Sequence, residues 1–271
     1  MRDRRRASGG FGIIRLRRKT ACAVTATKGI QMTAQRRISL AFGALFLITF
    51  ITSIPALGLF QPVLDDPQGY IAGAGADNRI YFGAFLELML IVANIASAVV
   101  VFPLLKRQNE ILSLGYVTAR IMECVFILVG IIAVLAVVTL RHDAGADAAA
   151  LGGLAESLAA IKDWTFLLGP GFVVGIGNGL ILGYLMYKSG LMPRRLAMLG
   201  MIGGPLLALA STGVLFDLYD ANAPVKNIAA LPEIIWELSL CFYPLIWGFR
   251  ASSPILAEEG RPVLHPALSA R

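Results

Sequence analysis

The sequence predicts an all-α membrane protein, a bundle of six transmembrane helices with both termini in the cytoplasm. Three observations predict it: a very apolar composition, six apolar runs that are each long enough to cross a bilayer, and basic residues confined to alternate connections. Mean hydropathy is +0.72, and only 15% of the residues are charged. Soluble domains carry about 25% charged residues, so we predict that lipid rather than water surrounds the apolar surface of this chain.

Each of the six runs has the roughly 20 residues that a helix needs to cross a ~30 Å hydrocarbon core. Lipid offers no hydrogen-bond partners, so each segment must satisfy its own backbone as a helix. Apolar and polar residues do not alternate as they would in barrel strands. The predicted spans are residues 38–60, 80–105, 111–140, 164–187, 196–218 and 231–249.

Residues 1–31 precede these runs and are basic and polar, without the apolar core of a signal peptide. A disordered tail and an organellar transit peptide are two interpretations of this stretch. We favour a third, in which the start is mis-assigned and the protein begins at Met32. The predicted division is then this stretch, a membrane domain over residues 32–253, and a disordered cytoplasmic tail over residues 254–271.

Lysine and arginine divide the connections into two classes. Nineteen of them lie before the first span, in the second and fourth loops and in the C-terminal tail, and four lie in the other connections. Cytoplasmic loops carry the excess of Lys and Arg, so both termini are predicted inside. Acidic residues concentrate in the opposite connections: Asp65, Asp66, Asp77, Asp143, Asp147, Glu156, Asp163 and Asp220.

Four charged residues stand out inside the predicted spans, where a charge at the bilayer centre costs about 2.5–3.5 kcal/mol on insertion scales. They are Glu87 in the second span, Arg120 and Glu123 in the third, and Glu237 in the sixth. Asn94 shares a helix face with Glu87. One arrangement brings these three helices together around Arg120, whose guanidinium can pair with two carboxylates. These five residues form the predicted intramembrane polar network.

Two interpretations of this network stay open. In the first, the charges are structural and fix the register of the helices. In the second, a carboxylate that Arg120 does not neutralise carries a proton. Intramembrane ionisable residues are functional by default, yet here one arginine could neutralise most of the acids.

Glycines repeat every four residues in the fourth span and therefore share one helix face. A stripe of this kind lets another helix approach closely, within the bundle or between subunits of a homo-oligomer. The alternative is that Gly169-Pro170-Gly171 unwinds the helix and exposes carbonyl groups to a substrate or ion. Packing is the favoured interpretation, with Asn178 hydrogen-bonding across the contact. The stripe consists of Gly171, Gly175, Gly179 and Gly183.

Residues 151–161 precede the fourth span and read LGGLAESLAAI. Leu151, Leu154, Leu158 and Ile161 share one helical face, which is typical of a short helix lying on the outer membrane surface. A flexible, Ala-rich loop is an equally open interpretation.

Catalytic, cofactor and metal motifs are absent from the sequence. It contains no HExxH, GxSxG, P-loop or CxxC pattern, so we predict no cofactor and no catalytic residue. The three cysteines and two histidines lack metal-ligand spacing, so no metal is predicted. The basic residues follow membrane sidedness, which argues against a nucleic-acid partner. An enzyme is therefore the least supported class of function.

Three strings carry a resemblance to a known family: LELMLIVANIASAVVVFPLLKRQNEILSLGYVTARIMECVFILVG, DWTFLLGPGFVVGIGNGLILGYLMYKSGLMPRRLAMLGMIGGPLL and IIWELSLCFYPLIWGF. They resemble the bacterial membrane-protein family known as domain of unknown function 4386. The resemblance covers roughly Arg36 to Arg250. It implies a six-span helical protein and supplies no activity and no site residues.

Two classes of function follow from these observations. One is a small-solute or proton-linked transporter of the cell membrane, with the lipid bilayer and a small molecule or proton as its partners. The other is a non-catalytic sensor, stress-response or partner-binding component whose intramembrane charges are structural. A water-accessible cavity that reaches the acids would favour the first class, and a closed cluster with every group paired would favour the second.

Overall fold

The computed structural model describes residues 33–73, 75–143, 145 and 148–257. Within these ranges it contains helices and no strand, and six helices are long and apolar enough to cross a membrane. The predicted fold class and the predicted number of spans are therefore confirmed. The interpretations of residues 1–31 and of residues 258–271 lie outside the described residues.

The helices are numbered in chain order, and five of the six spans are single unbroken α-helices longer than a bilayer core requires. The exception is the fourth span, which changes helix type along its length, and the last span begins earlier than predicted. The helices are α1 Ala34–Leu64, α2 Pro67–Ala72, α3 Asp77–Leu105, α4 Glu110–Asp143, α5 Ala148–Phe166, α6 Leu182–Ser189, α7 Arg194–Leu215, α8 Pro224–Ile246 and α9 Pro254–Ala257.

The fourth span is the main departure from the sequence-based boundaries. One helical run covers Ala150–Ser189, where the sequence predicted residues 164–187. Residues 151–161 are neither a loop nor a separate surface helix, because they form the first part of α5. This part of α5 packs against the bundle, with Ala155 and Ala159 buried. Lys162 interrupts the apolar run, which is why the sequence placed the start of the span after it.

Between α5 and α6 the same helical run continues as π-helix, over Leu167–Val173 and Gly175–Ile181. A π-helix bonds each N–H to the carbonyl five residues earlier and is rare beyond single turns. Pro170 lies inside the first π-helical segment and has no N–H to donate. The Gly-Pro-Gly sequence thus widens the helix in this structure without breaking it into a loop.

The glycine stripe of this span lies against α7, inside the bundle. A Cβ built on Gly171 would lie 2.7 Å from Ser211 Oγ, and one on Gly183 would lie 2.9 Å from the Met201 nitrogen. Gly175 and Gly179 both face Gly204, so two backbones touch where small residues meet.

Helix α1 packs against α8 at one end of the bundle and against α3 at the other. Arg36 Nη2 donates to the Leu245 carbonyl at 2.8 Å, and Ser39 Oγ donates to the Pro244 carbonyl at 2.8 Å. Positive charge at the carboxyl end of a helix also complements its dipole. At the opposite end, Phe60 fills the space beside Gly83.

The chain after α8 folds back onto this same end of the bundle. The Arg250 N–H donates to the Leu191 carbonyl at 2.9 Å, and Ser253 Oγ donates to the Ser189 carbonyl at 2.6 Å. Helix α9 follows, with Ile255 and Leu256 buried in the core. The segment that the sequence assigned to a disordered tail therefore begins as an ordered helix, because these two apolar side chains find a core to enter.

The other end of the bundle carries an ion pair between α3 and α4. Arg141 pairs with Asp77, and its Nε donates to the Gly73 carbonyl at 3.1 Å. The Tyr70 hydroxyl of α2 also donates to Asp77. Burial, reinforced by that hydrogen bond, raises the pKa of Tyr70, so its hydroxyl remains a donor at neutral pH.

Two apolar clusters fill the bundle, one toward each end. The cluster at the end where α1 begins includes Phe42, Phe46 and Trp236, and the other includes Phe60 and Ile131. Polar residues of α1, α3 and α4 lie between the two clusters in sequence and therefore at mid-height of the bundle.

Replacing Gly204 by alanine should destabilise the protein. The new Cβ would meet the Gly175 carbonyl oxygen and would lie 2.7 Å from two further atoms of the π-helical segments, at Gly179 and Leu180. Overpacking of this kind costs about 1–3 kcal/mol. Thermal unfolding in detergent should show a lowered midpoint.

The matched control is Gly58→Ala, because a Cβ at Gly58 has nothing within 4 Å. This control should unfold at or slightly above the wild-type temperature, since alanine favours helix. Equal midpoints for the two variants would contradict the close packing of α7 on the fourth span.

Candidate functional site

A layer of polar side chains crosses the middle of the bundle. Thr49 and Ser53 come from α1, Glu87 and Asn94 from α3, and further members from α4, α5 and α8. Thr49, Ser53 and Asn94 fall in their helices between residues of the two apolar clusters, whereas Glu87 lies beside one cluster and Glu237 beside the other. Such a layer is costly in a membrane unless its charges are neutralised within the protein.

Arg120, Glu123 and Asn94 form a closed triangle of contacts. Arg120 Nη1 pairs with Glu123 Oε2 at 2.8 Å, and Arg120 Nη2 donates to Asn94 Oδ1 at 3.0 Å. Asn94 Nδ2 completes the triangle by donating to Glu123 Oε1 at 3.0 Å. The guanidinium also lies over the Phe46 ring, 5.1 Å from its centroid. The triangle joins α3 to α4 and is buried, with Arg120 only 3% exposed.

Glu87 pairs with Lys162, a partner that the sequence analysis placed in an outer loop. Lys162 Nζ donates to both carboxylate oxygens of Glu87, at 2.6 and 2.7 Å, and both side chains are buried. The ammonium also lies over the Phe60 ring, 4.8 Å from its centroid. Gly130 of α4 leaves the space for the lysine, since a Cβ there would lie 2.8 Å from Lys162 Cδ.

Glu237 of α8 forms no ion pair with any of the described residues. Its hydrogen-bond partner among the described residues is the Asn178 side-chain amide, a neutral donor from the second π-helical segment. Arg120 is close enough to interact with it electrostatically, but no ion pair within 4 Å joins them in the described part of the chain. Glu237 therefore carries a charge, when ionised, that no adjacent group neutralises.

One helical turn before Glu237, the Glu233 side chain is buried and only 2% exposed. Neither of its carboxylate oxygens has a hydrogen-bond partner among the described residues. A Cβ on Gly179 would lie 2.6 Å from Glu233 Oε2, so the carboxyl group is enclosed by the glycine contact of α7 and the fourth span. Trp236 lies between the two glutamates in the sequence, and its Nε1–H donates to the Asn178 carbonyl at 2.9 Å.

A partly enclosed cavity of about 180 Å³ opens within the polar layer. Its lining contains three carboxylates and two cationic groups, together with hydroxyl, aromatic and aliphatic side chains. Pro170 and Val174, at and between the two π-helical segments, also line it. The ionisable lining residues are Glu87, Arg120, Glu123, Lys162 and Glu237.

The structure brings all five residues of the predicted polar network to this cavity or its wall, but with different partners from those expected. Arg120 binds Glu123 and Asn94, whereas the expected pairing of Arg120 with two carboxylates is absent among the described residues. Glu87 pairs with Lys162 instead. This contact forms because the helix of the fourth span begins before its apolar run.

Sequence reasoning missed Lys162 and Glu233 as members of the interior. Lys162 and the adjacent Asp163 resembled the end of a loop, although Leu151 to Ile161 already had helical spacing. Glu233 is one turn from Glu237 on the same face, a signal that was present but that fell near the predicted start of the last span. Among the described residues, no three His, Cys, Asp or Glu side chains are grouped as metal ligands would be.

Comparison with known proteins finds one family. A family model described as "Domain of unknown function (DUF4386)" matches residues 41–248, which includes every helix that lines the cavity. No curated protein and no solved structure matches the chain.

Replacing Lys162 by methionine should destabilise the protein strongly. Removal of one partner from a buried ion pair leaves an uncompensated charge, at a cost of about 3–5 kcal/mol. Adding Glu87→Gln to this variant should recover most of the loss, because no charge is then left behind. Denaturant unfolding of wild type, both single variants and the double variant measures the coupling between the two residues. If the losses of stability in the two single variants simply add in the double variant, the result would contradict the ion pair between Lys162 and Glu87.

Proposed function

We propose a transport function for this chain, which belongs to the DUF4386 family: it carries a small solute across the membrane and couples that movement to protons. The observation that carries the proposal is the cavity at mid-height of the bundle, lined by five ionisable side chains. A solute site halfway through the bundle is what alternating access from both sides requires.

The excess of acid over base in the cavity lining supports the coupling to protons. Lys162 neutralises Glu87, and Arg120 neutralises Glu123. Glu237 is left with the neutral amide of Asn178 as its hydrogen-bond partner among the described residues. A carboxyl group in this position can take up and release a proton without breaking an ion pair.

The π-helical region supports the proposed movement. π-bulges occur frequently at functional sites and give a helix an alternative hydrogen-bond register. Pro170 and Val174 belong to the cavity wall, and Asn178, which holds Glu237, lies in the second π-helical segment. A change of register in this region would therefore move the wall and the Glu237 partner together.

The rival function is a non-catalytic sensor or partner-binding component, and one observation favours it. Glu87, Lys162, Arg120 and Glu123 are all paired and buried, as in a structural network. A sensor or partner-binding function gives no role to the cavity or to Glu237, which has no ion pair among the described residues. We therefore favour transport.

We further propose that the protein lies in the plasma membrane with both termini inside. Arg36 and Arg250 lie at the end of the bundle where α8 ends, as do Lys106, Lys188 and Arg194 in the adjoining helix ends and loops. Positive residues remain on the cytoplasmic side during insertion, which supports this orientation.

Proteoliposomes containing a pH-sensitive dye test transport. With an imposed pH gradient, n-butylammonium, n-butanol and butyrate are added in turn. At least one of these solutes should speed the collapse of the gradient in wild type above protein-free liposomes. Glu237→Gln should abolish this effect, whereas Glu110→Gln, at the exposed start of α4, should not. Wild-type rates equal to those of protein-free liposomes for all three solutes would contradict proton-linked transport.

Cysteine labelling tests the orientation. In a background with Cys22, Cys124 and Cys241 replaced, Asp65→Cys should react with a membrane-impermeant maleimide on intact cells. Lys106→Cys should react only after permeabilisation, because the two exposed positions lie at opposite ends of the bundle. Labelling of Lys106→Cys alone on intact cells would reverse the orientation, and labelling of both would contradict the six-span topology.

A further inference from the structure

We propose that the cavity binds a small organic cation, a protonated amine, with the Glu237 carboxylate as its counter-charge. This inference rests on the proposed function, since it names the class of solute and the group that exchanges it for a proton.

The charge of the cavity lining favours a cation. Three carboxylates face two cations, so the ionised lining has one negative charge in excess. Each cation already contacts a carboxylate other than Glu237, at 2.6–2.8 Å. In surroundings of low dielectric constant an unbalanced charge is costly, so an empty site binds a proton and an occupied site binds a cation in its place.

Glu237 is also accessible from the cavity. Glu237 keeps partial exposure because it lines the cavity, whereas Glu233 is enclosed and lines no part of it. The charged and titratable groups around Glu237 are Arg120, Glu123 and Tyr116 on α4 and Glu233 on its own helix. Of these, Arg120 and Glu123 are committed to each other, and Tyr116 is fully buried. Glu237 is thus the carboxylate that a ligand in the cavity can reach without displacing a partner.

The size of the cavity and the chemistry of its remaining wall fit a small amine. A cavity of about 150 Å³ accepts a benzene-sized molecule, so 180 Å³ limits the solute to a similar size. Phe50 and Phe166 present aromatic rings, which attract cations, and Leu57 and Leu90 present aliphatic surface for an alkyl chain. An anion would meet the negative excess and the negative faces of these rings.

The exchange is balanced in charge and in atoms. The protonated Glu237 carboxyl group loses its proton to water as the ammonium group of the solute enters. The carboxylate and the ammonium then form an ion pair. Reprotonation of the carboxylate from the opposite side of the membrane releases the amine there, so one amine moves against one proton.

Binding to the full chain in nanodiscs tests this inference, using n-butylammonium, its neutral match n-butanol and the anion butyrate as probes. In weakly buffered solution, wild type should bind n-butylammonium and release about one proton for each amine bound, and it should bind neither of the other probes. Glu237→Gln should weaken amine binding at least about tenfold and abolish proton release. Glu237→Asp, which keeps the charge, should retain both, and so should the control Glu110→Gln.

Three results would overturn the inference: no n-butylammonium binding by wild type, binding without proton release, or equal binding by wild type and Glu237→Gln. Should Glu237→Gln fail to fold, the comparison of the three probes on wild type and Glu237→Asp decides the question. Amine binding with proton release but without flux in proteoliposomes would contradict transport and leave the cation site standing. Proton-linked flux of butyrate or n-butanol, without flux of n-butylammonium, would support proton-linked transport and contradict the cation site.

Discussion

The whole structure depends on neutralising charge inside a bundle that hydrocarbon surrounds. Neither lipid nor the two apolar clusters can solvate an ion, so each charged side chain at mid-height needs a partner supplied by another part of the protein. Lys162 reaches Glu87 because α5 extends past its apolar run and because Gly130 leaves room for the lysine stem. The fourth helix thus continues far enough beyond its apolar run for Lys162 to neutralise Glu87 inside the bundle.

The same constraint gives Glu237 its importance. The structure provides two cations for the three carboxylates of the cavity, and the packing of α8 against the fourth span offers Glu237 an amide rather than an ammonium group. The glycine contact of α7 with the π-helical region brings α8 close enough for that hydrogen bond. Packing, helix type and site chemistry are thus consequences of one arrangement around Asn178.

Much of this fold could be predicted from the sequence because the bilayer allows so few alternatives. Six apolar runs can only be helices in lipid, and charges such as Glu87, Arg120 and Glu237 are conspicuous within them. Their partners could not be predicted, since Lys162 and Asp163 together look like the end of a loop and helical spacing does not say how far a span continues. The glycine stripe predicted a close contact, but small residues serve contacts within and between chains alike. Gly169-Pro170-Gly171 marked where the helix would be perturbed, and only the three-dimensional structure shows that the perturbation is a π-helix rather than an unwound segment.

The central claim is that Glu237 is the one carboxyl group of the cavity whose charge the protein leaves unbalanced. Infrared difference spectroscopy of wild type against Glu237→Gln in nanodiscs at neutral pH tests it most directly. The account predicts that wild type shows carbonyl bands of protonated carboxylic acids and that one of these bands is lost when Glu237 is replaced but persists in Glu123→Gln. Glu233, whose buried carboxyl group has no hydrogen-bond partner among the described residues, contributes a band to all three proteins. A spectrum in which replacing Glu237 removes only ionised-carboxylate bands would contradict the account, because Glu237 would then already have a counter-charge within the bundle.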